Sequence, residues 1–378
     1  MIYLDHAATT PVRKEVLQAV TEAFEIFGNP SSLHAAGAKA REAVEESRET
    51  LARALRCSPE EVVFTSGGTE ANNLALKGLP EKGHVLVSSI EHPSVLEPAK
   101  SLAAAGFEVE RIPVDGFGLV DPERVSEMIR KDTVLVSVMH ANNEIGTVQP
   151  VEEIGKVCRD SGVLFHVDAV QTFGKIEVDP KRMNADLISV SSHKIYGPKG
   201  AGALFVREGV RLRPLLSGGG QERGLRSGTE NVQGIVGFAK AAELAVAEME
   251  SESERLERLR DRLISGLSEI PDSFLNGHPK RRLPNNAHFC FRFVEGESVV
   301  LMLSEEGIMV STASACSSRK LEPSHVLRAI GLRREEAHGS VRYTLGLGNT
   351  KDQIEKTVEA TERVVEKLRE ISPFKGKW

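Results

Sequence analysis

Short, unbroken apolar runs recur along the first half of the chain, and between them lie longer stretches with an apolar residue every three to four positions. The runs are Glu61-Val-Val-Phe-Thr65, His84-Val-Leu-Val-Ser88, a segment from Val109 to Pro113, Thr133-Val-Leu-Val-Ser-Val138, Val163-Leu-Phe-His-Val-Asp168 and Ala185-Asp-Leu-Ile-Ser-Val190. Each has strand length, and all but Val109–Pro113, which carries Glu110 and Arg111, are too uniformly apolar for a sheet with one face in water, so those predict strands buried on both faces. The stretches between them read as helices. One carries Val16, Val20, Ala23 and Phe24; a longer one runs from Ala35 to Arg56 with Val44, Leu51 and Leu55 on one side; others end near Leu79, Ala105, Arg130 and Arg159. Strands and helices alternating in this way predict an α/β fold with a mainly parallel, helix-covered sheet.

The pattern changes after residue 217. Gly218-Gly219-Gly220 opens a glycine-rich stretch to Thr229, and a long helical region from Val232 to Leu267 follows, its charged residues dense after Glu248. Beyond it a shorter series resumes: a strand over 286–293 with alternating phenylalanines, a helix over 298–305, a strand over 308–311, a helix opening at 322–324, a strand over 340–345 and an amphipathic helix from Asp352 to Arg369. This series predicts a second, smaller α/β lobe. The expected division is 15–249 as the large domain, with 1–14 and 250–378 as the small one.

Composition narrows the function classes. The chain has 378 residues and a formal net charge of -6, with acids and bases interleaved along the helices. No polybasic surface for nucleic acid or membrane is implied. No segment reads as a signal peptide or reaches transmembrane length, so a cytoplasmic location is expected. The four cysteines, Cys57, Cys158, Cys290 and Cys316, form no C-x-x-C pair, which disfavours a disulfide framework or a zinc site of the usual spacing.

In α/β sheets ligands gather beyond the C-terminal ends of the strands. There the chain places Ser191-Ser192-His193-Lys194, then a Gly-Pro turn. A lysine desolvated at such a point becomes an amine nucleophile fit for a Schiff base, whereas Lys199 reads as an ordinary surface residue. Asp168 ends an apolar strand and must be paired there, for which a protonated pyridine nitrogen is suitable; Gln171 follows within one turn. Gly67-Gly68-Thr69 opens a helix directly after a strand and offers free backbone N–H groups to a phosphate, although no P-loop is present. His92 and Asn142-Asn143-Glu144 also follow strands. Cys316 lies in a polar loop beside Arg319 and Lys320, the setting of a reactive thiol. Arg342 sits among apolar neighbours, where its planar fork suits a carboxylate.

Together these stretches resemble the NifS/IscS-type cysteine desulfurases of the class-V aminotransferase family, which are fold-type I pyridoxal-phosphate enzymes. The likeness covers essentially the whole chain. It rests most on Thr65-Ser-Gly-Gly-Thr-Glu70, Asn142-Asn-Glu-Ile-Gly146, His166-Val-Asp-Ala-Val-Gln171, Ser192-His-Lys-Ile-Tyr-Gly-Pro-Lys-Gly200, Arg226-Ser-Gly-Thr229, and Ala315-Cys316 with Leu321-Glu-Pro-Ser324. The resemblance implies a large domain with a seven-stranded-type sheet and pyridoxal 5'-phosphate on Lys194, its ring nitrogen paired with Asp168. His92 would stack on the ring and shuttle protons, and Asn143 and Gln171 would lie near the ring hydroxyl. Gly68, Thr69, Ser191 and His193 would hold the phosphate, with Thr229 reaching across to a partner subunit in a homodimer. Arg342, with Asn143, would bind the substrate.

The implied reaction converts L-cysteine to L-alanine, Cys316 taking the sulfur as a persulfide and passing it to an iron–sulfur scaffold protein or a tRNA-thiolation carrier. No resident metal is expected; Cys316 is the residue to ask about as a transient cluster ligand. The sequence departs from the family at Gly68, commonly Ala, at the basic pair Arg319 and Lys320, and at Leu347, where an arginine is common. Two other readings are weighed: a selenocysteine/cystine lyase or aminotransferase of the same fold, and a non-catalytic sulfur-assembly scaffold.

Overall fold

The computed structural model describes residues 1–312 and 323–372. Its strands are β1 (Ile2–Tyr3), β2 (Val62–Thr65), β3 (His84–Ser88), β4 (Glu108–Ile112), β5 (Thr133–Ser137), β6 (Leu164–Asp168), β7 (Leu187–Ser191), β8 (Gly202–Val206), β9 (Ser273–Leu275), β10 (Asn286–Phe291), β11 (Ile308–Met309) and β12 (Ser340–Thr344). Its helices are α1 (Lys14–Ala23), α2 (Ala35–Leu55), α3 (Gly68–Lys77), α4 (Pro93–Ala104), α5 (Pro122–Met128), α6 (Val151–Asp160), α7 (Val232–Ser268), α8 (Gly296–Glu305), α9 (His325–Ala329), α10 (Arg334–His338) and α11 (Lys351–Ile371).

The central sheet has seven strands in the order β2-β8-β7-β6-β5-β3-β4. All its pairings are parallel except those of β8, which runs antiparallel to both β2 and β7. The fold class is therefore the expected one. The apolar runs are continuous because successive side chains enter different cores. Val85 and Val87 pack in one cluster and Leu86 in another; Leu187 packs in the first, Ile188 and Val190 in the second. Helices α3 and α4 cover one face and α2, α6 and the first part of α7 the other.

Strand β8 is a difference from the sequence reading, which assigns 202–206 no strand. An antiparallel return needs only a turn, so no helix separates it from the preceding strand to announce it. Helix α1 begins at Lys14 and Arg56 caps α2 in the left-handed conformation, φ 56°. The turn before α3 is built on Gly67, φ 150°, and Gly202 on the neighbouring strand has no room for a side chain: a Cβ there would lie 2.6 Å from Gly67 Cα.

A separate apolar cluster gathers Leu4, the second half of α7 from Leu256, and side chains of β10, α8, β12 and α11. Helix α7 is unbroken over 37 residues. Its residues up to Ala242 belong to the sheet's core and those from Leu256 to this one. Strand β1 pairs in parallel with β11, so the first residues of the chain lie with the last third. We propose that these cores mark the lobes 15–249 and 1–14 with 250–378, the division falling inside α7.

Candidate active site

A cavity of about 340 Å³ opens where β2, β3, β5, β6 and β7 end, and the beginning of the chain and residues 324, 325 and 342 close it from above. Of the expected residues, Gly68, Thr69, His92, Asn143, Asp168, Gln171, Ser191, His193, Lys194 and Arg342 all line it. Thr229 does not; it is exposed on the glycine-rich stretch. Cys316, with Arg319, Lys320 and Leu321-Glu322, lies outside the described residues.

Lys194 is set by a short helical turn that follows β7. Its Nζ donates to the carbonyls of Ala7 at 2.5 Å and Ala8 at 2.7 Å. The Ala7 carbonyl also accepts from Gln171 Nε2 at 3.0 Å, and His193 Nδ1 lies 3.1 Å from Thr9 Oγ1. The first residues thus form a strap across the ends of β6 and β7. Burial and the neighbouring lysines push His193 down to about 4, so that imidazole is neutral.

Asp168 is buried at the end of β6. Its Oδ2 accepts from Asn72 Nδ2 at 2.7 Å and its Oδ1 from the Val170 N–H at 3.0 Å. Asn72 sits one helical turn past Gly68 on α3, and the same Nδ2 also donates to Ser94 Oγ at 2.8 Å. His92 caps α4, its Nδ1 accepting from the Ser94 N–H at 3.1 Å.

Beneath the N-terminus of α3, whose first amides have no partner within the helix, Ser191 Oγ is buried and makes no hydrogen bond. An adjoining hollow of about 340 Å³ is lined by Gly67, Gly68, Thr69, Ser191 and His193. The turn is pinned by Glu70, which accepts from the Ser66 N–H at 2.8 Å and Arg226 Nε at 2.9 Å. Despite its burial, these bonds hold the Glu70 carboxyl below its usual range. Arg226 is thereby used within the chain. A Cβ on Gly68 would come within 2.6 Å of Val170 Cγ2, which accounts for glycine at this position.

From above, Arg342 on β12 donates to Asp5 Oδ1 at 2.9 Å and to the Asn143 carbonyl at 3.0 Å, while its buried Nε has no partner. Sequence reasoning placed Glu144 after a strand without giving it a role, and did not single out His325, Glu91 or Lys175 at or beneath the cavity. Glu144 accepts from Ser324 Oγ, and burial raises its carboxyl to about 7. His325 Nε2 bonds the Glu91 carbonyl at 2.9 Å. Glu91 itself, buried and near the Asp168 charge, is pushed up to about 8. Lys175 donates to the Gln171 carbonyl at 3.0 Å and is pushed down to about 7 by desolvation and by Lys194.

The three described cysteines are elsewhere: Cys57 is partly buried, Cys158 and Cys290 fully, and burial raises each thiol to about 12. Among the described residues no group of His, Cys, Asp and Glu is placed to hold a metal ion, and no helix is long and apolar enough to cross a membrane.

An amine, Lys194, and a carboxylate, Asp168, thus stand at adjacent strand ends beside the free amides of a helix N-terminus. The class-V aminotransferase family model matches residues 2–357, and the chain belongs to that family, whose members depend on pyridoxal phosphate. Within it the chain groups with the cysteine desulfurases. Cysteine desulfurase IscS of Dictyoglomus turgidum is 52% identical over 384 residues, spanning 100% of this chain and 98% of that protein. A solved NifS-like protein is 40% identical, with a TM-score of 0.91, over 97% of this chain and 100% of its own. SspA in complex with cysteine is 39% identical, with a TM-score of 0.80, over 91% of this chain and 99% of its own.

Proposed function

We propose that the chain is a pyridoxal-phosphate-dependent cysteine desulfurase that turns L-cysteine into L-alanine and holds the sulfur as a persulfide on Cys316. The observation that carries this reading is one cavity shared by an amine, Lys194, a buried carboxylate, Asp168, and a guanidinium, Arg342. The residues present fit the cofactor: Lys194 for its aldehyde, Asp168 for its ring nitrogen, and the N-terminus of α3 with the unpartnered Ser191 hydroxyl for its phosphate. Gly68, Thr69 and His193 complete that cradle, and Asn143 and Gln171 sit at its side. When bound, the cofactor supplies an electron sink for charge developing at the substrate Cα and so weakens the Cβ–S bond.

The chain's own groups do the rest. Arg342, steadied by Asp5 and the Asn143 carbonyl, offers its remaining donors to the substrate carboxylate. Lys194 has the reach to move the Cα proton within the cavity. The Cys316 thiolate attacks the substrate sulfur; an S–S bond forms as the C–S bond breaks, the carbon side takes a proton, and one cysteine and one enzyme thiol become one alanine and one enzyme persulfide. Cys57, Cys158 and Cys290 do not compete, because burial keeps them as thiols.

The persulfide is passed to an acceptor protein of iron–sulfur assembly or tRNA thiolation. The protein works in the cytoplasm as a homodimer without direct contact to nucleic acid or membrane, and exposed Phe24, Phe27 and Leu33 are consistent with a further partner surface. A single turnover with L-cysteine and no added reductant tests the reading. Stoichiometric alanine with one added sulfur on the Cys316 peptide is expected; pyruvate, or alanine with Cys316 unmodified, would move the assignment to a lyase or aminotransferase.

A further inference from the structure

The hydrogen bonds around His92 run in one direction. Its Nδ1 accepts from the backbone N–H of Ser94 at 3.1 Å, and a backbone amide can only donate. Nδ1 therefore presents a lone pair, and the proton of the neutral ring is on Nε2. The Ser94 hydroxyl lies 2.8 Å from the same nitrogen; facing a lone pair, it donates as well. Its oxygen accepts from Asn72 Nδ2 at 2.8 Å, and the other hydrogen of that amide goes to Asp168 Oδ2 at 2.7 Å. The Asn72 amide cannot be turned over, since its carbonyl would then meet a carboxylate. Each donor is thus assigned, from Asp168 outward through Asn72 and Ser94 to His92.

We propose that Ser94, itself held by Asn72, is a positioning residue that locks His92 as the neutral imidazole with its proton on Nε2, making the ring a hydrogen-bond donor to the reacting groups and not their base. A second proton on Nδ1 would collide with two donors, one of them a helix-terminal amide that has no other partner. The charged and titratable groups around the ring divide. Burial opposes the imidazolium, Asp168 favours it, and Lys194, His325 and Arg342 oppose it; the balance lies below the usual value. His92 lines the cavity, and its Nε2 has no partner among the described residues. Its expected part as a proton shuttle then narrows to donation, and Lys194 is the group left to take the Cα proton. The lock follows from hydrogen-bond geometry alone; what the donated bond does rests on the desulfurase reading.

The test is ring nitrogen NMR on the holoenzyme with 15N-labelled histidine, the His92 signals assigned by their loss in His92→Gln. Wild type is expected to give a pyridine-type Nδ1 and a pyrrole-type Nε2, with no protonation on passing the ordinary imidazole value of about 6.5. Ser94→Ala keeps only the backbone donor; the ring should titrate up to about one unit higher and admit some of the other tautomer. Ser94→Thr should restore both readings. A proton on Nδ1 in wild type, or a Ser94→Ala spectrum and titration identical to wild type, overturns the proposal, and the wild-type spectrum decides even should the alanine variant not fold. Alanine formation in the same samples is read separately, so loss of the desulfurase reading and loss of the lock are distinguishable.

Discussion

The floor of the cavity, made by the strand ends, and its roof, made by residues 5–8, 324, 325 and 342, are held by different kinds of contact. On the floor, side chain bonds side chain inside a closed sheet edge: Asp168 to Asn72, Asn72 to Ser94, Ser94 to His92. In the roof, backbone carbonyls and an ion pair dominate. Lys194 and Gln171 reach up to the Ala7 and Ala8 carbonyls, and Arg342 is shared between Asp5 and the Asn143 carbonyl. A floor of mutually fixed side chains sets proton positions before any ligand arrives, which is what a site of chemistry requires. A roof tied by main-chain oxygens fixes where a substrate anion goes and asks little of the identity of the strap residues.

The strongest way to break this contrast is Asp168→Asn on the floor. The substitution keeps shape, removes the charge and puts an amide where Asn72 and the Val170 N–H now find an acceptor. Turnover of the holoenzyme should fall on the order of 10²–10³-fold, as for loss of one fixed electrostatic group in an active site, with KM for cysteine moving far less. Steady-state alanine formation checks this, and a fall of only a few-fold would mean that the floor does not govern the chemistry.

Glu144 lies on the seam, following the end of β5 and bonded to Ser324 of the roof. Burial raises its carboxyl from 4.5 to about 7, against the pull of Ser324 and Arg342. A folded value above the unfolded one means that the folded state binds the proton more tightly. That stabilisation is complete below about 4.5 and is lost as pH rises through about 7, on the order of 3 kcal/mol in all. Buried His140, at about 4, and His166 and His288, at about 3, act in the opposite sense: their contributions are present above the unfolded imidazole value and are lost as pH falls through those folded values. Glu144→Gln removes one of the alkaline losses. Urea unfolding should show the variant gaining on wild type by up to about 3 kcal/mol between pH ~5 and ~8. A difference that does not change with pH would put a charged carboxylate at the seam and assign it to the floor.

The two sides also differed in how far the sequence disclosed them. Lys194, Asp168, Ser191, His92 and Gly68 each end an apolar run or lie within four residues of its end, and a strand end is where α/β proteins keep ligands, so motif and position agreed. Asn72 was available in principle, being four residues past Gly68 on the same helical face, and Ser94 as the second residue after a histidine cap. Strand β8 was not assigned because its short apolar run follows a turn with no helix between. Nothing local joins Asp5 to Arg342, 337 residues apart, or Glu144 to Ser324, 180 apart, and a carbonyl such as that of Ala7 has no signature in a side-chain pattern. Thr229 is expected by resemblance alone to reach the phosphate of a partner subunit, and within one chain it stands on the surface.

The smallest effect expected is at the roof. Asp5 accepts one donor of Arg342, and the pair is partly open to solvent on the Asp5 side, 21% against 5%, so its loss should cost less than a fully enclosed pair would. Asp5→Ala takes away an acceptor and leaves Arg342 held by the Asn143 carbonyl alone, free to swing from the line that presents its other donors. Because that error affects where the substrate carboxylate docks and not the groups beneath it, KM for cysteine should rise about tenfold, the equivalent of ~1.4 kcal/mol, with kcat within a few-fold of wild type. Asp5→Asn keeps an acceptor oxygen and should recover most of the loss, since alignment and not neutralisation is the role assigned to Asp5. Steady-state kinetics of the three proteins would decide it. A fall in kcat at unchanged KM would place the Asp5–Arg342 pair in the chemistry, and the division of the cavity into a reacting floor and a binding roof would no longer hold.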